Sequence, residues 1–348
     1  MRSVLWLVLA AATAGCPLAG EDGGDPASSV ALREITGAYK DAYCTFLARC
    51  GVFPDQATCA DASLAVVPTI DPNVIAAVEA GRALYNGKHV KACFDAVAAD
   101  TCDQTDENGR ARIPACGAFF RGTVSDGGAC LVDQECISQR CAGGDPDVSC
   151  VRGTCIGDTP PNNAPLSLGT SCSSSASCVD GAYCDTATNV CTAHEASGEP
   201  CTGGAECGYG LACAGATGSR VCQALPALGE PCRLDLPCRD EGQLCDGATM
   251  TCTQVGLPGA PCTSSFQCSP YYRCDTAAAM CVKGPGRGDA CSAGSRCFEA
   301  ATYCDPGALM CVDAAADGTS CTNDLQCASE HCDFNAAAPV CASPLVCP

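Results

Sequence analysis

Close cysteine pairs are missing from this chain. It has 348 residues and 37 cysteines, yet none stand as C-x-C or C-x-x-C, and the nearest have four residues between them, as in Cys136 and Cys141. Zinc sites, iron–sulfur runs and thioredoxin-like motifs use close pairs to bring two sulfurs to one atom. Their absence turns the reading from metal storage or redox chemistry to structural disulfides, with no metal site expected. A cytosol would keep so many thiols reduced, so the compartment is predicted to be oxidising.

Lysine is scarce. Lys40, Lys88, Lys91 and Lys283 are the only four, and the formal charge is −20. Such a surface repels nucleic acid and anionic lipid headgroups. Its plain role is solubility in an exported protein; binding of calcium or cationic partners is the sharper alternative. Histidine is rarer still. His89, His194 and His331 are scattered, and no G-x-S-x-G elbow, P-loop or H-E-x-x-H accompanies them. With no catalytic constellation, the chain is predicted not to be an enzyme and to need no cofactor.

What is present begins with an export signal. MRSVLWLVLAAATAGC has one positive charge, an apolar run and then small residues. Ala12-Thr13-Ala14 fits signal peptidase I, whereas Ala14-Gly15-Cys16 fits a lipobox in which Thr13 stands where Leu is usual. Parity decides between them. A lipidated Cys16 leaves 36 cysteines, an even number, and the other cut leaves an orphan thiol. Residues 1–15 are therefore read as a signal peptide and 16–28 as a lipidated tether, polar and rich in Gly, Pro and Ser. No second apolar stretch of membrane length follows, so the lipid would be the only anchor. Pro17 replaces the Asp that favours inner-membrane retention, which points to the outer membrane.

Residues 29–122 read as a disulfide-stapled helical domain. Leu32, Ile35, Tyr39, Tyr43 and Phe46 have helical spacing, with Ser29 as N-cap and Gly51 as stop. Asp71-Pro72 reads as a cap and first helical proline, with Gly87 closing that helix. Val90, Cys93, Phe94 and Val97 share one face of a further helix. Cys50 and Cys93 lie on apolar faces, which predicts sulfur bridges inside the bundle.

A repeat fills the rest. An irregular module at 126–156 carries Cys130, Cys136, Cys141, Cys150 and Cys155, and a Pro-rich linker covers 157–168. Six regular modules then span 169–342, each G-x-x-C, five residues, C, four to six residues, C, six to eight residues, C. Module 1 holds Cys172, Cys178, Cys184 and Cys191; module 2, Cys201, Cys207, Cys213 and Cys222; module 3, Cys232, Cys238, Cys245 and Cys252. Module 4 holds Cys262, Cys268, Cys274 and Cys281; module 5, Cys291, Cys297, Cys304 and Cys311; module 6, Cys321, Cys327, Cys332 and Cys341. Nine residues always separate one module from the next, and a tail occupies 343–348. A unit this small cannot bury a core, so two disulfides must replace it. Three pairings are possible per module; first-to-third with second-to-fourth is the expectation. Cys150 and Cys347 are left over and are expected to pair with each other. The second half of each module reads as a hairpin. Asp185, Asp246, Asp275, Asp305 and Asp333 follow the third cysteine as turn formers, with Ala214 in module 2. A calcium ladder would need more oxygen ligands at fixed offsets. The fold class is thus small and disulfide-rich: a stapled helical domain followed by about seven short β-hairpin cysteine-rich modules.

The G-x-x-C start, the five-residue gap and the C-D before a short hairpin, as in YCDTATNVC and YCDPGALMC, make residues 126–345 resemble the Dickkopf N-terminal cysteine-rich domain family. The whole chain resembles the cysteine-rich repeat lipoproteins of predatory or social soil bacteria. The animal family's antagonism of Wnt receptors is not carried over, because a lipobox and a helical leader remove its context. Arg287-Gly288-Asp289 spells an integrin-read tripeptide, but the G-x-x-C start already accounts for Gly288. The functional expectation is a non-catalytic, lipid-anchored envelope protein whose array spaces partners or binds a protein. The alternative is a stapled inhibitor or toxin-like binder of a foreign protein, against which stand small, bland loops without an evident anchor residue. The lipid anchor is tested by metabolic labelling with a fatty-acid analogue. The wild type is expected to take the label and Cys16→Ala to lose it; equal labelling of both refutes lipidation there.

Overall fold

The computed structural model describes residues 29–62, 70–102, 119–144, 150–157 and 166–347, except 173–177, 180, 186, 209, 217, 235, 237, 293–296 and 335. The export signal, Cys16 and the tether lie outside the described residues. The architecture is a helical region followed by antiparallel hairpins, bound by 17 described disulfides.

Helix α1 (Ile35–Arg49) is preceded by a 3-10 turn, Leu32–Glu34, so Ser29 does not cap it. Gly51, at φ +74°, ends it. Helix α2 (Gln56–Asp61) starts where the Asp55 carboxylate accepts the Thr58 N–H, and α3 (Pro72–Glu79) where Asp71 accepts that of Asn73. The closing residue of α3 is Gly81 rather than Gly87. Gly81 takes φ +70° and donates its N–H to Val78 O, a left-handed step that costs glycine little. The short strand β1 (Ala83–Tyr85) follows, and Gly87 instead opens α4 (Gly87–Ala99), capped by Asn86. β1 pairs antiparallel with β2 (Phe120–Gly122).

Two clusters make the core. Ile35, Tyr39 and Ala42 of α1 pack with Val74, Val90, Cys93 and Phe94, and Val132 of the irregular module joins them. Cys44 is bonded to Cys59 and Cys50 to Cys102; Cys93 is also bonded, to a partner outside the described residues.

Every regular module is closed by the same crossed pair, first to third and second to fourth cysteine, as in Cys262–Cys274 and Cys268–Cys281. The third and fourth cysteines face each other across the hairpin, Cys274 opposite Cys281, so the two bridges lie side by side. The G-x-x-C glycine takes positive φ, from +81° at Gly229 to +91° at Gly198, and gives its N–H to the carbonyl of the fourth cysteine. Each bridge closes a loop of 11 to 15 residues, worth about 3 kcal/mol in the chain-entropy model.

The modules are of two kinds. Six positions before the first cysteine, Val124, Glu195, Gly256 and Ala315 donate an N–H to the residue before the second cysteine and accept one from the residue after it. Modules 3 and 5 have Pro226 and Pro285 there, which lack that N–H and keep only the acceptor bond, from Arg239 and Phe298. In the same two modules the gap between second and third cysteine is six residues, where modules 1, 2 and 4 have five. The longer segment is used for docking. The N–H of Glu241 in module 3 donates to Cys102 O, and that of Ala300 in module 5 donates to Asp61 O at 3.0 Å.

Module 4, between them, completes the contact. Ser269 Oγ donates to Val52 O at 2.7 Å, and Phe53 meets Tyr271 with ring centroids 4.6 Å apart. Phe46, Leu47, Val52 and Phe53 share a core cluster with Tyr272, Phe298 and the module 4 cysteines. The array therefore folds back on the helical domain rather than running on as free beads. Its end is tied down too. Asn73 donates to Leu345 O at 2.9 Å and accepts the Cys347 N–H at 2.8 Å, and Cys347 is bonded to Cys150. That bond closes a loop of 197 residues, worth about 5 kcal/mol in the same model before internal bridges shorten the path.

Gly242 tests the docking. It stands at φ +74°, and a methyl group there would collide with the Cys50 carbonyl oxygen, whereas Gly210, at the same position of module 2 and φ +72°, faces open space. Both Gly→Ala changes are expected to cost about 1 kcal/mol for the left-handed backbone. Only Gly242→Ala should also raise amide exchange at Glu241 and lower the melting temperature further. Equal effects of the two changes contradict the docked arrangement.

Candidate binding surface

The residues singled out for chemistry are not brought together. His89 lies on α4 beside Phe119, His194 stacks on Tyr183 at 5.6 Å between modules 1 and 2, and His331 is in module 6. The Arg-Gly-Asp tripeptide is folded into a turn: the Asp289 carboxylate accepts the Gly286 N–H at 2.8 Å, and the Arg287 guanidinium pairs with Asp313 at 2.8 Å. Sulfurs such as those of Cys262, Cys268 and Cys281 lie within 4.8 Å of one another, but each is spent in an S–S bond. A shallow groove of about 400 Å³ runs between α1 and α4, floored by Ala38, Ala42 and Phe94. On its rim Lys91 is paired with Asp95 at 2.7 Å.

Four of the aspartates after the third cysteine are seen as turn caps. Asp185, Asp246, Asp275 and Asp305 accept the N–H two residues on, at 2.7 to 3.1 Å. The Ala248 N–H and the Thr249 hydroxyl hold the Asp246 carboxyl below the usual carboxylate range; the Thr188 hydroxyl and the Ala187 N–H do the same for Asp185. These oxygens already satisfy protein donors.

What the modules do present is the five-residue loop between first and second cysteine. In the irregular module and modules 2, 4 and 6 its last residue turns back on its first: Glu135, Glu206, Gln267 and Gln326 accept the N–H of Leu131, Thr202, Thr263 and Thr322 at 2.6 to 2.9 Å. A 3-10 turn results in each. The frame holds the loop between two cysteines of different bridges, and in modules 4 and 6 it leaves the fourth residue exposed. That residue is Phe266 in module 4, 92% exposed, and Leu325 in module 6, 75% exposed. Module 3 exposes Leu234 in the corresponding loop. These anchors were missed in the sequence, where TSSFQ and TNDLQ look bland. The signal lay in the alignment: an apolar fourth residue set among polar ones.

Tyr272 shows the contrast between a docked and a free aromatic. Packed between Phe53 and Phe298, it is buried, and burial pushes its phenol up to about 12.

The density of disulfides marks an exported protein, and among the described residues no helix is long and apolar enough to cross a membrane. A scan against protein-family models, a search of the curated proteins and a search of the solved structures each found no match to the chain.

The turn caps give a pH test. A carboxyl depressed by folding stabilises its turn above the usual carboxylate range and loses that contribution as pH falls through its own lower value. An NMR titration of the Ala248 amide is expected to show a midpoint below that of a free aspartate, and Asp246→Asn should abolish the transition. A midpoint at or above the free value contradicts the cap.

Proposed function

We propose that this chain is a non-catalytic, lipid-anchored protein of the cell envelope whose cysteine-rich array binds another protein. The observation that carries the reading is the framed loop. A large apolar side chain exposed on a rigid support has little backbone entropy left to lose on binding, and a few such anchors can carry most of an interface's binding energy. Phe266 and Leu325 occupy one structural position in two modules of the same kind. The fold-back supports binding over spacing, since an array tied to its own start by Cys150–Cys347 cannot extend as a rod. The anchor at Cys16 and the outer-membrane location belong to the same proposal, as does the likeness of the modules to Dickkopf cysteine-rich domains. The inhibitor reading remains a second one, favoured by Phe266, because a stapled loop with one protruding aromatic also suits insertion into a foreign protein's cleft.

The test compares the full chain with Phe266→Ser/Leu325→Ser as bait, both oxidised and with identical disulfide maps. A partner retained by the wild type is expected to bind the variant at least about tenfold more weakly, the scale of one anchor residue. Partners retained equally by both contradict the loops as the binding surface. Capture of envelope proteins favours the first reading, and capture of a foreign hydrolase favours the second.

A further inference from the structure

The bridge Cys150–Cys347 differs from the other described bridges. Each module bridge is crossed by a second one that holds its two sulfurs in place, and Cys44–Cys59 and Cys50–Cys102 lie within the helical region. If one bridge of a crossed pair is reduced, its thiols remain at high effective concentration and close again. Cys150 and Cys347 are 197 residues apart and belong to different units, the irregular module and the C-terminal tail. Cys136–Cys155 brackets Cys150 on the irregular module, whereas the tail that carries Cys347 is held beside the bond by the two hydrogen bonds of Asn73.

Cys150 is half-buried and so can be reached, as can Cys291 and Cys304 of module 5; its backbone is what sets it apart. Cys150 also takes φ +52°, a left-handed conformation that L residues rarely adopt, so the closed state holds its backbone in an unfavourable region. Module cores do not include this bond: the irregular module keeps Cys130–Cys141 and Cys136–Cys155, and module 6 keeps Cys321–Cys332 and Cys327–Cys341.

We propose that Cys150–Cys347 is a reversible redox clasp, opened by a dithiol reductant, which controls whether the far end of the array stays fastened to the helical domain. A thiolate of the reductant attacks Sγ of Cys150, the more exposed sulfur, and forms a mixed disulfide as Cys347 leaves as thiolate. The reductant's second thiol attacks its own sulfur in that mixed disulfide and releases Cys150. Two electrons and two protons pass to the protein, and the reductant leaves as its cyclic disulfide. The tail then keeps the hydrogen bonds of Asn73 but has lost its covalent hold, so module 6, with Leu325, can leave the helical domain. Modules 3 to 5 remain docked through Glu241, Ser269 and Ala300.

Titration of the oxidised full chain with dithiothreitol tests the clasp, with alkylation at each step, peptide mapping and small-angle scattering. Cys150 and Cys347 are expected to be alkylated first, at about tenfold lower reductant than any module cysteine. The maximum dimension should grow at that step and return when reductant is removed. A Cys150→Ser/Cys347→Ser variant is expected to match the reduced dimension with or without reductant. Should that variant fail to fold, the wild-type titration decides alone. Opening of any module bridge at the same or lower reductant overturns the proposal. So does an unchanged dimension once the two thiols have appeared.

Discussion

The crossed pair of disulfides is the constraint on which the rest depends. A module of some 20 residues has almost nothing apolar to bury, and its own core is sulfur: in module 6 the buried cluster is Cys321, Cys327, Cys332 and Cys341. Because the third and fourth cysteines are opposite each other in the hairpin, each can reach a different partner in the preceding loop. That loop is thereby pinned at both ends. The hydrogen bonds then follow from the pinning: the G-x-x-C glycine closes on the fourth cysteine, and the aspartate caps the turn.

With the modules rigid, small changes between copies decide what each does. One proline and one extra residue separate modules 3 and 5 from their neighbours. The proline removes a hydrogen bond to the preceding spacer, and the extra residue turns a backbone N–H toward the helical domain. Module 4 supplies the apolar part through Tyr271 and Tyr272 on Phe53. The helical domain gains by this as well. The face of α1 carrying Phe46 and Leu47 would otherwise be open, and module 4 buries it. The irregular module covers the other side, where Glu135 is buried against Arg82 at 2.8 Å, with the hydrogen bond to Glu135 raising the Arg82 pKa.

The helical leader, the repeat period and the hairpins were legible because each rests on local spacing. Leu32 to Phe46 repeat with a helical period, and C-D with small residues marks a turn wherever it occurs. The Gly87 boundary was misread for want of one further local signal, Gly81, which stands nearer the helix and takes the left-handed step. The two kinds of module were also in the sequence, in Pro226, Pro285 and the six-residue gaps, but the cysteine pattern masked them. The docking was not legible. Tyr272 and Phe298 read as ordinary module residues, and nothing local to them names Phe53, more than 200 positions away, as their partner. Phe266 went unremarked for the opposite reason, since exposure is a property of the folded loop and not of its five letters.

Every regular module is stapled to itself, while one bond returns the chain's end to its start. Peptide mapping without reduction, after digestion with a broad-specificity protease, is the decisive measurement. Six fragments are expected, each holding its own two crossed bridges, with a further fragment joining Cys150 to Cys347. Bridges running between regular modules, or Cys347 bonded to a module 6 cysteine, would contradict this pattern.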